Sequence, residues 1–222
     1  HRIRDSPVPP RPVFFITGGQ GEGKTTLLLN IVAELRRRGL NVRGFAAPGT
    51  FSDGLRAGFS LLDLATGRSE EFCSRTRVPE NIQHGPYYFR PDVLYRGYRI
   101  LAEARDPAET DLLVIDEVGR FELMGAIWSE GIDRLLTLPT PPMIWTVRRC
   151  FLSEVMRRWG LWPSLIIEAG SDEEEAAEGI LREILRNHSD NSEACPCRDD
   201  CLIAGKEISG PPVGHDERES GS

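Results

Sequence analysis

Lysine is almost missing from these 222 residues: 25 of the 27 basic side chains are arginine, and the two lysines are Lys24 and Lys206. Long apolar runs are missing as well. No stretch approaches the ~20 residues that a membrane-spanning helix requires, and the candidate run over 135–147 is interrupted by Pro139, Pro141 and Pro142. An integral membrane protein built on such helices is therefore excluded for these residues. Cysteine is sparse and odd in number, five in all, unlike the dense, even framework of a small disulfide-stapled domain, so a reducing, cytoplasmic setting is expected. Glycine and proline, 22 and 16 residues, together stay below the ~25–30% of a low-complexity chain, and no internal repeat is visible. Positive charge is not in excess either. The formal net charge is −7, the acidic surplus lies from Ser171 onward, and the remainder is near neutral. That leaves no basic footprint for nucleic acid or an anionic membrane.

The length suits one domain with room for a tail. Residues 1–12, with Pro7, Pro9, Pro10 and Pro12, read as an extended leader. Over 13–186 short apolar, β-branched runs alternate with helical periodicity. Strands are predicted over 13–17, 42–46, 112–115, 143–147 and 165–167, and helices over 24–38, after Pro91, over 122–136 and over 152–159. Residues 59–64 and 69–73 read as an antiparallel hairpin, and a last helix is expected to open on a capping box at Ser171 and Glu174. This order predicts an α/β domain with a mostly parallel central sheet flanked by helices and an antiparallel hairpin insertion. Residues 187–222 read as an acidic, cysteine-containing, disordered tail.

One string carries most of the chemistry. Gly18-Gly19-Gln20-Gly21-Glu22-Gly23-Lys24-Thr25 fits G-x-x-x-x-G-K-[ST] between a buried strand and a helix, the setting this phosphate-binding loop requires. Triphosphate oxygens need several donors converging from one side, and glycines let backbone N–H groups approach where side chains would block them. Residues Gly18 through Thr25, with Thr26, are the expected nucleotide-binding set. Lys24 is expected to reach from a solvated loop to the β- and γ-phosphates, and the Thr25 hydroxyl to ligate Mg²⁺. The single lysine of the domain thus stands where a compact, rotatable ammonium suits better than a planar guanidinium.

The second half of such a site is a carboxylate at a strand end. Leu112-Leu113-Val114-Ile115-Asp116-Glu117 supplies two: Asp116 to hold Mg²⁺ with Thr25, and Glu117 to orient and deprotonate an attacking water. Arg120, Arg148 and Arg149 are candidates for offsetting charge on the transferred phosphoryl group. Thr146, at the end of the 143–147 strand, is placed to sense the γ-phosphate or the water.

The loop, together with Ile115-Asp116-Glu117-Val118-Gly119-Arg120-Phe121-Glu122-Leu123, resembles the nucleoside-triphosphatase family first described in thermophiles, whose animal members are called cancer-related nucleoside-triphosphatase. The family pattern in the second string is Asp-Glu-x-Gly-x-x-Glu-Leu, and the resemblance extends over residues 13–186. It implies a RecA-like P-loop fold, Mg²⁺-dependent hydrolysis of the γ-phosphate, broad tolerance of the base, and Glu117 as the water-activating carboxylate. Glu122 is the next candidate for that task. The chain departs from the pattern at Arg120, where relatives often carry lysine, and at Val147-Arg148, where they tend to continue Ile-Pro.

Three functions fit these residues: a nucleoside-triphosphate hydrolase, a nucleotide-dependent adaptor or assembly factor for a partner protein, and a small-molecule kinase on the same scaffold. No Asn-Lys-x-Asp string is present to read guanine and no Leu-Ser-Gly-Gly-Gln string to mark a transporter ATPase. Cys195, Cys197 and Cys201, with His188 or His215, lack the paired Cys-x-x-Cys spacing of a zinc framework, and no metal is expected from them.

Overall fold

Apolar residues on both faces of a strand need cover on both sides, and the first strand, β1 (Val13–Gly18), is buried at every position. A computed structural model describes the backbone of residues 11–193 and the side chains of residues 11–187. The further strands are β2 (Val42–Ala46), β3 (Gly49–Ser52), β4 (Leu55–Asp63), β5 (Ser69–Ser74), β6 (Ile82–His84), β7 (Tyr87–Phe89), β8 (Leu112–Val118), β9 (Met143–Arg148) and β10 (Leu165–Glu168). The helices are α1 (Lys24–Arg37), α2 (Pro91–Ala104), α3 (Arg120–Leu123), α4 (Ser129–Leu136), α5 (Leu152–Trp159) and α6 (Glu173–Glu193).

All ten strands join one sheet in the order β10-β1-β9-β8-β2-β4-β5-β7-β6, with β3 beside β4. The first five in that order pair parallel. The switch comes at β2, where Phe45 and Ala46 pair antiparallel with Asp63 and Leu62 of β4. The parallel core agrees with the sequence pattern, whereas the expected hairpin insertion is larger than predicted. Strands β3, β6 and β7 join it and continue the same sheet.

Alternation sorts the core into two layers. Phe14 and Ile16 of β1 and Leu112 and Val114 of β8 face Leu28, Ile31 and Leu35 of α1 and Ile180 of α6. Phe15, Leu113, Ile115 and Trp145 face the opposite layer with Val93, Leu101, Ile132 and Val155. Each such fully buried apolar side chain stabilises the fold by about 1.5–3 kcal/mol.

The expected single helix over 122–136 is two helices. Gly125 adopts φ 77° and Ile127 φ 49°, and the Ala126 N–H bonds back to the Phe121 carbonyl at 2.9 Å. This six-to-one closure ends α3 on glycine and turns Ile127 and Trp128 into the core. The cap of α6 lies one residue later than predicted: the Asp172 carboxylate, not Ser171, accepts the N–H three residues on, from Glu175 at 2.9 Å. That helix also runs on to Glu193. Cys195, Cys197, Cys201, His215 and the leader over 1–10 lie outside the described residues.

Candidate active site

The parallel strands β1, β8 and β9 end side by side, and their carboxyl ends carry the candidate site residues, where a sheet of this type places ligands. The chain leaves β1 at Gly18, turns through Gly21 (φ 78°) and Gly23 (φ 84°) and enters α1 at Lys24. Both dihedrals lie in the left-handed region that only glycine adopts without strain. Gly18 serves packing instead: a Cβ there would stand 2.7 Å from that of Ala169. The loop is closed by its own Glu22, whose carboxylate accepts the Gly19 N–H at 2.6 Å.

Lys24 is not in a solvated position, contrary to expectation. It is 6% exposed, and its ammonium donates to the Gly19 carbonyl at 2.8 Å, so the loop it serves already holds it. The first turn of α1 carries no acidic residue of its own, so no side chain of that turn competes with an anion for its free N–H groups.

Thr25 and Asp116, 91 residues apart, meet at 3.0 Å with the threonine hydroxyl donating. Asp116 is completely buried and also accepts the Ala47 N–H at 2.8 Å and the Thr146 hydroxyl. Burial raises its pKa, opposed by the Thr146, Ala47 and Thr25 donors. Thr146 is thus committed to positioning Asp116 and is itself fully buried.

Glu117, next along β8, points the other way and is partly exposed. Its carboxylate accepts from the Arg148 guanidinium at 2.7 Å, and Arg148 also donates to the Gln20 side chain at 3.3 Å. One arginine at the end of β9 therefore ties the Glu117 carboxylate to the glycine-rich loop. Arg149 turns outward to Glu168 at 2.7 Å, and Arg120 does not line the cleft beside the loop.

That cleft, about 280 Å³, is bounded by Gln20, Gly21, Gly23, Lys24, Thr25 and Thr26 on one side and by Pro48, Phe51 and Arg56 on the other. Gly18, Gly19 and Glu22 shape the loop without lining the cleft. Phe51 and Arg56 come from the β3–β4 hairpin and were not among the residues singled out by spacing. Arg56 lies over the Phe51 and Phe59 rings, 5.3 and 5.0 Å from their centroids. An exposed phenylalanine beside an arginine in a turn-rich stretch was the sole signal available for them.

Glu122 does not share the cleft. It is 3% exposed, accepts the Gly119 N–H at 2.8 Å and also takes the N–H groups of Glu122 itself and Trp128. It is the carboxylate that caps α3 from within, so its placement favours a structural task over the activation of water. Burial, despite those donors, pushes its pKa from 4.5 up to about 7. The folded protein therefore holds this proton more tightly than the unfolded chain does. The group's contribution to stability is greatest below its ordinary pKa and is lost as pH rises toward 7, by about 3 kcal/mol. Glu122→Gln is expected to flatten that descending limb in urea unfolding measured between about pH 5 and 8. An unchanged slope would assign the pH dependence to other groups, Asp116 first.

Among the described residues no helix is long and apolar enough to cross a membrane, and no group of three or more His, Cys, Asp or Glu is placed to hold a metal ion.

Comparison with known proteins agrees with this geometry. The NTPase family model matches residues 13–160. Nucleoside-triphosphatase THEP1 of Methanocaldococcus jannaschii is 31% identical over 173 residues, which cover 78% of this chain and 96% of the relative. The THEP1 of Korarchaeum cryptofilum is 27% identical over 72% of this chain and 80% of its own length. In fold, the chain is similar to the crystal structure of THEP1 from the hyperthermophile Aquifex aeolicus, with a TM-score of 0.53 and 24% identity over 78% of this chain and 98% of that one. It is likewise similar to the solution structure of a human cancer-related nucleoside triphosphatase, with a TM-score of 0.55 and 20% identity over 84% of this chain and all of that one. A glycine-rich loop between β1 and α1, a carboxylate pair facing it, and a family match across more than half the chain lead to one conclusion: the chain belongs to the NTPase family and is a nucleoside-triphosphatase.

Proposed function

We propose that the chain hydrolyses the γ-phosphate of ATP, GTP and other nucleoside triphosphates in the cytoplasm, with Mg²⁺ as cofactor and little preference for the base. The observation that carries this reading is the Thr25–Asp116 bond, which joins the hydroxyl opening α1 to the carboxylate on β8. Hard oxygen donors of this kind suit Mg²⁺, which takes one or two protein groups alongside substrate phosphates. Thr25 would hold the ion and Asp116 would support it, and Mg²⁺, when bound, neutralises charge on the β- and γ-oxygens. The residues of the chain do the rest. The amides of the loop from Gly18 to Thr26 cradle the phosphates, and Lys24 exchanges the Gly19 carbonyl for phosphate oxygens. Glu117, oriented by Arg148, takes the proton from the attacking water.

Base tolerance is supported by the composition of the cleft wall. The carboxylate and amide side chains that line the cleft, Glu117 and Gln20, are both tied to Arg148, and the apolar surfaces are Leu29, Pro48 and Phe51. A stacking surface accepts any base, because every base has a π-face. The cytoplasmic reading is supported by Cys73 and Cys150, both free thiols.

Phosphate release from ATP, GTP, CTP and UTP, with Mg²⁺ and with EDTA, tests both parts. The four kcat/KM values are expected to agree within about 10-fold, and EDTA is expected to abolish turnover. A preference above about 100-fold for one base would overturn the tolerance, and EDTA-resistant release would overturn the role of Mg²⁺.

A further inference from the structure

A second chamber, about 350 Å³, lies on the other side of the Glu117–Arg148 pair and shares Gln20, Glu117 and Arg148 with the phosphate cleft. Hydrolysis does not require it. A water takes about 30 Å³ of liquid volume, whereas this space is of the size that holds small-molecule ligands. Its walls are aromatic edges and faces. Phe72 stacks on Trp128 at 4.8 Å between centroids and meets Phe89 at 5.0 Å, and Phe89 meets Phe121 at 5.6 Å. Arg75 and Arg120 also line it, both exposed. Twelve other arginines form ion pairs with carboxylates. Arg75 rests only on the Tyr87 ring, 5.5 Å from its centroid, and Arg120 has no carboxylate partner among the described residues. An aromatic chamber with two uncompensated guanidinium groups and a strand-end carboxylate at its boundary fits a flat ligand bearing an anion.

We propose that this chamber is a second-substrate site for a flat aromatic acid whose hydroxyl oxygen takes the γ-phosphoryl group in place of water. The proposal rests on the hydrolysis reading above and extends it. The acceptor oxygen bonds to the γ-phosphorus as the bond to the β,γ-bridging oxygen breaks. The diphosphate leaves with that electron pair, and the hydroxyl proton passes to Glu117. Water makes the same attack when the chamber is empty, so hydrolysis is the background of a transfer reaction. The anion held by Arg75 and Arg120 is a carboxylate or a phosphate, since both offer the paired oxygens a guanidinium recognises.

The probe is 6-hydroxy-2-naphthoate, added to the full chain with Mg²⁺ and ATP. Saturable quenching of tryptophan fluorescence is expected from Trp128, and a phosphorylated naphthoate should be found by mass spectrometry. Arg75→Ala is expected to weaken probe binding about 10-fold or more, and Arg75→Glu further, while hydrolysis without the probe is unchanged because Arg75 does not line the phosphate cleft. Displacement by 2-naphthoate or by 2-naphthyl phosphate, whichever is tighter, identifies the natural anion. Absence of saturable binding, binding indifferent to Arg75→Glu, or binding without transfer would each overturn the proposal while leaving probe-free hydrolysis intact. Loss of probe-free phosphate release from ATP would instead overturn the reading on which it rests.

Discussion

Lys24→Ala is expected to slow nucleoside-triphosphate hydrolysis at least ~100-fold, which corresponds to about 3 kcal/mol or more of lost transition-state stabilisation. Charge on the β- and γ-oxygens grows as the γ-phosphoryl group departs, and Lys24 is the one lysine in the described domain. The arginines nearby are engaged elsewhere: Arg148 by Glu117 and Gln20, Arg149 by Glu168, and Arg56 of the cleft wall by the Phe51 and Phe59 rings. The fold should survive the change. The ammonium makes one bond, to the Gly19 carbonyl, and its loss costs about 1 kcal/mol net. Phosphate release and thermal melting measured on the same preparation separate the two effects. Turnover equal to the parent's would sink the phosphate-loop assignment, and loss of the folded state would show that the buried lysine has a structural task as well.

Glu117→Gln separates binding from chemistry. The amide keeps the shape and still accepts a hydrogen bond from Arg148, but it cannot take a proton from water. Nucleotide should bind within a few-fold of the parent while turnover drops ~10²–10⁴-fold. Stability should change little, because the Glu117–Arg148 pair is partly exposed, with side chains 24% and 30% accessible, and such pairs contribute about 0–1 kcal/mol. Fluorescence titration with a nucleotide analogue, beside single-turnover phosphate release, reads both quantities. If the variant hydrolyses at the parental rate, the proton goes elsewhere. Glu122 is then a poor successor, since its carboxylate is held by backbone N–H groups at the start of α3.

The sequence by itself determined the parts whose cause is local. A strand buried on both faces needs a continuous apolar run, so β1, β8 and β9 could be read directly. The glycine spacing over Gly18 to Thr25 made a turn between a strand and a helix legible, and that turn is found, with Gly21 and Gly23 in left-handed conformations. Asp116 and Glu117 stood out because they interrupt an apolar run abruptly, although the strand itself continues to Val118. What the tertiary structure decided was partnership. Asp116 meets Thr25, Ala47 and Thr146 in the interior, while its neighbour Glu117 meets Arg148 at the cleft. No spacing rule announces that Thr146 bonds to Asp116, or that Arg148 rather than Arg120 or Arg149 bridges Glu117 to the loop. The walls built by β3, β6 and β7 escaped notice for the same reason: strands of three or four residues carry too little periodicity to be recognised alone. They exist because β4 and β5 offer them hydrogen-bond partners, and β4 in turn pairs with β2.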